Sequence, residues 1–212
     1  LDQSDIDEEG FRRGGVFHFG SITMTHEPAC SATLRALSLA EKYGCLISFD
    51  PNLRPALWRN LEEARSRMLQ GAEKAHILKV NEEEAMFLAD ASTFEGALDF
   101  LSKKFPLTLI AVTLGKHGCL LVRKKERMRI EGFRVNAIDT TGAGDGFVAG
   151  LLSSLYMFWK DLREGKTVPE DALRHAALRA NAVGALTTTK KGAIPGLPTQ
   201  EEVEIFLEGN PQ

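Results

Sequence analysis

Short apolar runs alternate with helix-patterned stretches along this chain, and this alternation restricts the fold more than any other feature. The runs at residues 45–50 and 108–115, CLISFD and TLIAVTLG, are typical of strands buried on both faces. Helix-patterned stretches lie between such runs, as at 28–44, where Pro28 opens the helix and Gly44 closes it. The chain is therefore predicted to form a parallel sheet covered by helices, and ligands of such sheets bind beyond the carboxyl ends of the strands.

The same patterns divide the whole chain into predicted elements. Strands are expected at residues 16–20, 45–50, 76–80 and 108–115, in a hairpin over 118–124 and 127–133, and at 134–139. Helices are expected at residues 28–44, 61–72, 82–89, 94–104, 144–158 and 169–188, and a last one begins at Thr199, where Glu202 completes a capping box. No repeat or linker interrupts this order, so residues 1–212 are predicted to form a single α/β domain.

Composition and charge exclude several classes of protein. The formal net charge is −3, so nothing favours nucleic acid as a partner. The longest apolar run, residues 147–159, is too short and too interrupted to span a bilayer, and no membrane association is expected. Cys30, Cys45 and Cys119 are odd in number and far apart, which gives neither a disulfide framework nor a zinc spacing and indicates a reducing cytoplasm.

The segment IDTTGAGDGF, residues 138–147, carries the strongest chemical signal. It is expected where a strand turns into a helix, and the first free N–H groups of that helix can hold an anion at the positive end of the helix dipole. Asp145 then lies beside the anion. A carboxylate at that place can accept the proton of a hydroxyl that attacks phosphorus, while the amides stabilise the transferring group. The alternative is a small-residue turn in which Asp145 only caps the helix.

Other glycine-rich motifs do not fit this segment. A P-loop needs a Lys-Ser/Thr pair after its last glycine, and a dinucleotide fingerprint needs a third glycine where Phe147 stands. DTTGAGDGF instead resembles the C-terminal signature of the ribokinase-like, or PfkB, carbohydrate kinases. Other segments resemble that family in the same order, the first two its fructokinase branch: FHFGSITMTHEP (17–28), SFDPNLRPALW (48–58), LKVNEEEA (78–85), VTLGKHG (112–118) and ANAVGALTTTKKGAIPGLP (180–198).

The resemblance implies a ribokinase-like three-layer α/β/α fold with a mostly parallel central sheet and an ATP-dependent kinase activity. Asp145 would be the base that deprotonates a sugar hydroxyl. The backbone of Gly142, Ala143 and Gly144 would supply the anion hole.

The implied nucleotide site draws on three other segments. Asn81 and Glu84 would organise Mg²⁺ and its water around the phosphates, with Lys79 nearby. The remaining nucleotide contacts would come from Thr113, Gly115 and Gly118, with Asn181 beside the adenine.

The resemblance also implies a monovalent cation, K⁺ by preference, next to the anion hole. Asp139 would hold it together with carbonyl oxygens, because potassium needs many neutral oxygen ligands. The carbonyls would be those of Thr141, Thr187, Lys190 and Gly192.

Several candidate residues also have ordinary structural interpretations. Asp139 could be a turn residue, and the glutamates at 82–84 complement the dipole at a helix start. Arg54 could bind a phosphoryl or substrate oxygen, or form a salt bridge to Asp50. His18 lies inside an apolar strand and is predicted to be a packed core histidine.

The expected reaction is phosphorylation of a primary hydroxyl, giving fructose 6-phosphate from fructose. The alternatives are a 2-keto-3-deoxygluconate kinase, with Arg54 as partner of the substrate carboxylate, and a non-catalytic nucleotide-binding fragment. Members of the family carry a further N-terminal segment with a Gly-Gly element, a sugar-binding Asp and a β-sheet lid that often mediates dimerisation. None of these is found, so the chain is expected to be the C-terminal catalytic portion of a kinase that could be a homodimer at full length.

Overall fold

The computed structural model describes residues 1–124 and 126–211, and its central feature is a six-stranded sheet. The strands lie side by side in the order of the sequence: β1 (Val16–Gly20), β2 (Leu46–Asp50), β3 (Ile77–Asn81), β4 (Leu109–Thr113), β5 (Cys119–Arg123) and β6 (Glu126–Ile130). The sheet is mostly parallel and belongs to a three-layer α/β arrangement, which confirms the fold class predicted from the alternation.

The parallel pairing places consecutive carboxyl ends at one edge of the sheet. β1 pairs with β2 from Val16 opposite Leu46 to Gly20 opposite Asp50, and β2 pairs in parallel with β3. All five residues of β2 are buried, as are the first four of β3 and of β4. Burial on both faces is the reason why these runs show no polar alternation.

The helices of the described residues agree closely with their sequence patterns. They are α1 (Glu8–Arg12), α2 (Ala29–Lys42), α3 (Leu61–Lys74), α4 (Glu82–Ala89), α5 (Phe94–Lys104), α6 (Ala143–Leu155), α7 (Trp159–Arg163), α8 (Glu170–Thr187), α9 (Ala193–Gly196) and α10 (Gln200–Gly209). The short helices α1, α7 and α9 were not predicted. The capping box at the start of α10 is present, with the Glu202 amide donating to Thr199 Oγ1 at 3.2 Å and the Thr199 amide donating to Glu202 Oε2 at 2.7 Å.

Contacts between residues divide the chain into two compact units. Unit 1 comprises Leu1–Val112, Val122–Glu126 and Trp159–Thr167, and unit 2 comprises Thr113–Leu121, Arg127–Phe158 and Val168–Gln212. The single domain over residues 1–212 stays a prediction.

Each unit has its own apolar packing. In unit 1 a series of aromatic rings runs through Phe11, Phe17, Phe19 and Phe49, and the closest pair, Phe19 and Phe49, has its ring centroids 4.6 Å apart. In unit 2 Phe133 forms a buried cluster with Ala182 and Val203, and the Phe206 ring packs edge-to-face with Phe133, with the ring centroids 5.0 Å apart.

The prediction of a strand at residues 134–139 is wrong. This segment has no regular secondary structure, and Ile138 is 68% exposed. The amides of Ile138 and Asp139 both donate to the carbonyl of Thr188, at 2.7 and 3.1 Å, instead of forming a strand ladder. The motif that follows is therefore preceded by a loop tied to the end of α8.

The prediction of a packed core histidine at His18 is also wrong. His18 is exposed, and its Nδ1 lies 3.2 Å from Ser48 Oγ. β1 is the first strand in the sheet order, so one of its sides has no neighbouring strand in the described part of the chain. An apolar run in such a strand does not guarantee burial of every side chain.

Two expectations from composition concern the cysteines and the membrane. Cys30, Cys45 and Cys119 are all free thiols and buried. Over residues 1–124 and 126–211, every helix is too short or too polar to cross a bilayer.

Candidate active site

The Asn81–Glu84 pair, predicted to organise Mg²⁺, forms a capping box at the start of α4. Asn81 Oδ1 accepts the Glu84 amide at 2.8 Å, and Glu84 Oε2 accepts the Asn81 amide at 2.9 Å. The other Glu84 oxygen accepts the amide of Leu53 at 2.9 Å, and Glu84 is only 6% exposed. Both carboxylate oxygens thus already have a backbone donor, and a water-bound Mg²⁺ could use only their second lone pairs.

Lys79, predicted to lie near the nucleotide, forms a buried ion pair. Its Nζ lies 2.8 Å from Asp50 Oδ2, and both side chains are less than a tenth exposed. The salt bridge suggested between Arg54 and Asp50 is not the one observed, since Lys79 takes that place. Arg54 is exposed and donates to the carbonyl of Leu53 at 3.2 Å.

Asp145, predicted to be the catalytic base, lies in the first turn of α6. Its side chain is exposed. Gly142 is the residue before the helix and has a φ of +82°, in the left-handed region that favours glycine. Its position lets the chain turn sharply into the helix, so that Asp145 follows directly on the turn.

The amides proposed for the anion hole are not all free. The Ala143 amide donates to the carbonyl of Thr140 at 3.2 Å. Among the three residues of the predicted hole, this leaves Gly142 and Gly144 as the more suitable donors for an anion. The hole itself stays a prediction.

The glycines around this turn also have a packing function. A Cβ at Gly142 would lie 2.8 Å from the Cβ of Ala193 in α9. A Cβ at Gly146 would lie 2.6 Å from Thr187 Oγ1, and one at Gly150 would lie 2.9 Å from the Cα of Ala180. Small residues therefore let α6 approach α8 closely, which is a second reason for the composition of the motif.

The Asp139 side chain accepts hydrogen bonds from two of the residues whose carbonyls were predicted to bind the cation, Thr141 and Gly192. Its Oδ1 accepts the Thr141 amide and its Oδ2 accepts the Gly192 amide, each at 2.9 Å. Hydrogen bonds from Thr141 and then from Gly192, together with the positive charge of Lys191, lower the pKa of the Asp139 carboxyl to about 2. The carboxylate is thus an anion at neutral pH, as a cation ligand must be.

The other predicted cation ligands differ in their burial and in their contacts. Thr187 is fully buried, and its carbonyl lies next to Gly196, where an added Cβ would meet it at 2.7 Å. The Lys190 side chain is turned to Glu202, 2.9 Å away. Within residues 1–124 and 126–211, no three His, Cys, Asp or Glu side chains cluster as they would around a metal ion.

We expect the depressed pKa of Asp139 to appear as a pH-dependent contribution to stability. The folded pKa is below the ordinary value of 3.8, so the contribution is fully present above pH 4 and is lost as the pH falls through the folded value of about 2. The free energy of unfolding should therefore differ between the parent and Asp139→Asn at pH 5, and the difference should shrink towards pH 2. A difference that does not change over this range would contradict the assignment.

The predicted nucleotide loop is a tight turn after β4. The Leu114 amide donates to the Gly118 carbonyl at 2.8 Å, and the Gly118 amide donates to the Gly115 carbonyl at 3.2 Å. Gly115 and Gly118 have φ values of +57° and +89°. Thr113 is the last residue of β4, so two of the three predicted residues belong to this turn and the third directly precedes it.

Asn181, predicted to lie beside the adenine, has a structural role for its amide nitrogen. Its Nδ2 donates to the carbonyls of Ile130 and Glu131, at 3.3 and 2.9 Å, and the residue is 7% exposed. Burial raises the pKa of the nearby Cys119 thiol to about 12, and the hydrogen bond with Asn181 opposes this rise. The side chain thus fastens α8 to the end of β6.

Sequence reasoning missed two residues that shape the described site. Asp50 was considered only as a partner of Arg54, although a carboxylate at the end of a mostly apolar, buried strand signals a buried ion pair. Gly132 also escaped notice, and a Cβ there would lie 2.4 Å from the carbonyl oxygen of Lys116 in the nucleotide turn.

Comparison with known proteins identifies the family. Residues 2–200 match the model of the pfkB family carbohydrate kinases. The chain is 42% identical over 212 residues to probable fructokinase-4 of Arabidopsis thaliana, of which it spans 63%, less than two thirds of the length. It is 43% identical over 197 residues to putative fructokinase-8 of the same plant, covering 93% of this chain and 91% of that protein.

A solved structure shows the same fold. It is a double-mutant fructokinase from Vibrio cholerae O395 in a fructose, ADP and potassium ion bound form, 35% identical, with a TM-score of 0.87 over 98% of this chain and 64% of that one. The chain described here belongs to the pfkB family of carbohydrate kinases.

Proposed function

We propose that this chain is the nucleotide-binding and catalytic part of a fructokinase, which transfers the γ-phosphoryl group of ATP to the primary hydroxyl that yields fructose 6-phosphate. The observation that carries the proposal is the exposed carboxylate of Asp145 in the first turn of α6, the helix that begins directly after the left-handed Gly142. The names of the relatives support fructose over 2-keto-3-deoxygluconate as the acceptor. The chain spans less than two thirds of the length of several relatives. The fructokinase activity of the whole protein is therefore also proposed.

In the proposed reaction Asp145 accepts the proton of the sugar hydroxyl. The hydroxyl oxygen forms its bond to the γ-phosphorus as the bond between that phosphorus and the oxygen of ADP breaks. The amides at the start of α6 donate to the oxygens of the transferring group, where negative charge is highest. Arg54, exposed after β2, contacts a sugar or phosphoryl oxygen.

The ions in the proposal are Mg²⁺ and K⁺. Mg²⁺, when bound, neutralises charge on the phosphates, and Glu84 would hold it through water. Asp139, with its lowered pKa, suits a monovalent cation that also binds neighbouring carbonyls. A cytoplasmic location and a homodimer at full length are further proposals.

A comparison of acceptors tests the proposed function. The protein at its full natural length should phosphorylate fructose with a turnover on the order of 10 s⁻¹, the usual value for an enzyme. With ATP saturating, 2-keto-3-deoxygluconate should be a poor substrate and a weak competitor. If the enzyme preferred the keto acid, the protein would be a 2-keto-3-deoxygluconate kinase and not a fructokinase. If it bound ATP but phosphorylated neither acceptor, a non-catalytic role would be favoured.

Potassium should raise the activity more than sodium does. A cation beside Asp139 would hold the turn that contains Gly192, to which the carboxylate is already bonded, and this would stabilise the start of α6. The measurement is a titration with potassium chloride against a choline chloride background at constant ionic strength. In Asp139→Asn the potassium response should be much weaker, and a flat response in the parent would contradict the cation site.

A further inference from the structure

The segment directly after β2, residues 51–54, is held by buried polar groups of unit 1. Asp50 ends the strand and pairs with Lys79 of β3 at 2.8 Å, with side chains 5% and 8% exposed. The second oxygen of Asp50 accepts the amide of Asn52 at 3.0 Å. Asn52 has a φ of +45°, so this hydrogen bond holds the backbone in a left-handed conformation.

Two further side chains hold the next residues of the same segment. The hydroxyl of Ser21, a fully buried residue, donates to the carbonyl of Pro51. Glu84 accepts the amide of Leu53 at 2.9 Å. Arg54 follows, and its guanidinium is the charged group that the segment presents to solvent. Main-chain groups of Pro51, Asn52 and Leu53 are therefore each bonded to a different side chain.

A buried ion pair contributes little to the free energy of folding. Removing a lysine and a carboxylate from water costs as much as their attraction returns, and an apolar pair of similar volume is often at least as stable. The Lys79–Asp50 pair does impose a geometry, because Nζ of Lys79 orients the carboxylate that binds Asn52. Asn52 lies two residues before Arg54.

We infer that Lys79 is a positioning residue of the sugar site, and that it acts through Asp50 and the segment 51–53 on the direction of Arg54. Its buried ammonium group is thereby assigned to the acceptor side of the reaction and not to the nucleotide. The inference rests on the proposed function, in which Arg54 contacts the sugar or the transferring group.

The kinetic test uses Lys79→Met in the protein at its full natural length. The value of kcat/KM for fructose should fall by about tenfold or more, since a displacement of about 1 Å in a positioning group can cost about 100-fold. The dissociation constant of ATP, measured by calorimetry, should not change. Lys74→Met is the matched control, because Lys74 forms an ion pair of the same 2.8 Å length with Glu41 but is half exposed. A loss of ATP affinity in Lys79→Met would overturn the inference.

Two further variants separate positioning from folding. Asp50→Leu with Lys79→Met replaces the pair by apolar groups and should fold stably, yet it should still be impaired with fructose, because Asn52 has lost its acceptor. Parental kcat/KM in this double variant would overturn the inference. In an Arg54→Ala background, Lys79→Met should have little additional effect on kcat/KM, whereas full additivity would show that Lys79 does not act through Arg54.

A readout independent of activity distinguishes this inference from the proposed function. Amide hydrogen exchange at Asn52 and Leu53, followed by NMR, should be slow in the parent and in Lys74→Met, and faster at Asn52 in Lys79→Met. Unchanged protection at Asn52 would overturn the inference. If the natural protein phosphorylates no sugar, the proposed function fails, and the exchange rates still decide whether Lys79 holds the segment.

Discussion

Asp145→Asn is expected to reduce fructose phosphorylation by about 10²–10⁴-fold, the usual contribution of a general base. Asparagine keeps the shape of the side chain but cannot accept the proton of the attacking hydroxyl. Asp145 is exposed in the first turn of α6, so its replacement should disturb no buried contact. The measurement is kcat at saturating fructose and ATP, together with the dissociation constant of ATP, which should stay close to that of the parent.

Asp171→Asn is the matched control for this substitution. Asp171 is likewise exposed and likewise lies in the first turn of a long helix, α8, so the two changes alter the helix dipole interaction in the same way. Its activity should equal that of the parent. If Asp145→Asn retained activity within a few-fold of the parent, Asp145 would not be the base, and its carboxylate would serve only as a favourable charge in the first turn of α6.

Gly118→Ala is expected to destabilise the fold by more than about 4 kcal/mol, an exceptional value for one substitution. The added Cβ would lie 2.1 Å from the carbonyl oxygen of Ile130 and 2.5 Å from the amide nitrogen of Gly132. These are backbone atoms, so the strand end would have to move. The backbone of Gly118, with φ +89° and ψ −133°, also lies in a region that costs other residues about 1–3 kcal/mol.

Gly115→Ala separates the clash of the added Cβ from the cost of the backbone conformation. Gly115 belongs to the same turn and has a φ of +57°, but an added Cβ would have no neighbour within 4 Å. Only the backbone cost should remain, about 1–2 kcal/mol. Denaturant unfolding of both variants gives the comparison, and equal losses of stability would mean that the contact with Ile130 does not determine the requirement for glycine.

Helices and strands could be predicted from the sequence where the spacing of apolar residues fits one type of secondary structure only. The helix α4 was located at both ends, and the structure adds that Asn81 and Glu84 form a capping box at its start. The buried strands β2, β3 and β4 were recognised from runs without polar alternation. Local patterns suffice in these cases because the same residues that define the element also satisfy its hydrogen bonds or bury its side chains.

Local patterns failed where burial depends on a neighbour. Residues 134–139 have the composition of a strand, but their hydrogen bonds go to Thr188 at the end of α8. His18 lies in an apolar run, but in the first strand of the sheet order, where its ring is exposed. In neither case does the local sequence show which segment will pack beside these residues in the folded chain.

The candidate site divides in the same way. The sequence by itself predicted that Asp145 carries the chemistry, and it determined the local position of this residue, since DTTGAGDGF needs only local order to place Asp145 after a left-handed turn at the start of a helix. Only the tertiary structure decided that Lys79 pairs with Asp50, that Glu84 holds Leu53, and that Asp139 bonds to Gly192. For Lys79, Asp50 and Glu84 the physical reason is that a buried charge must find a partner. In all three cases the partner comes from whichever segment the fold brings within about 3 Å.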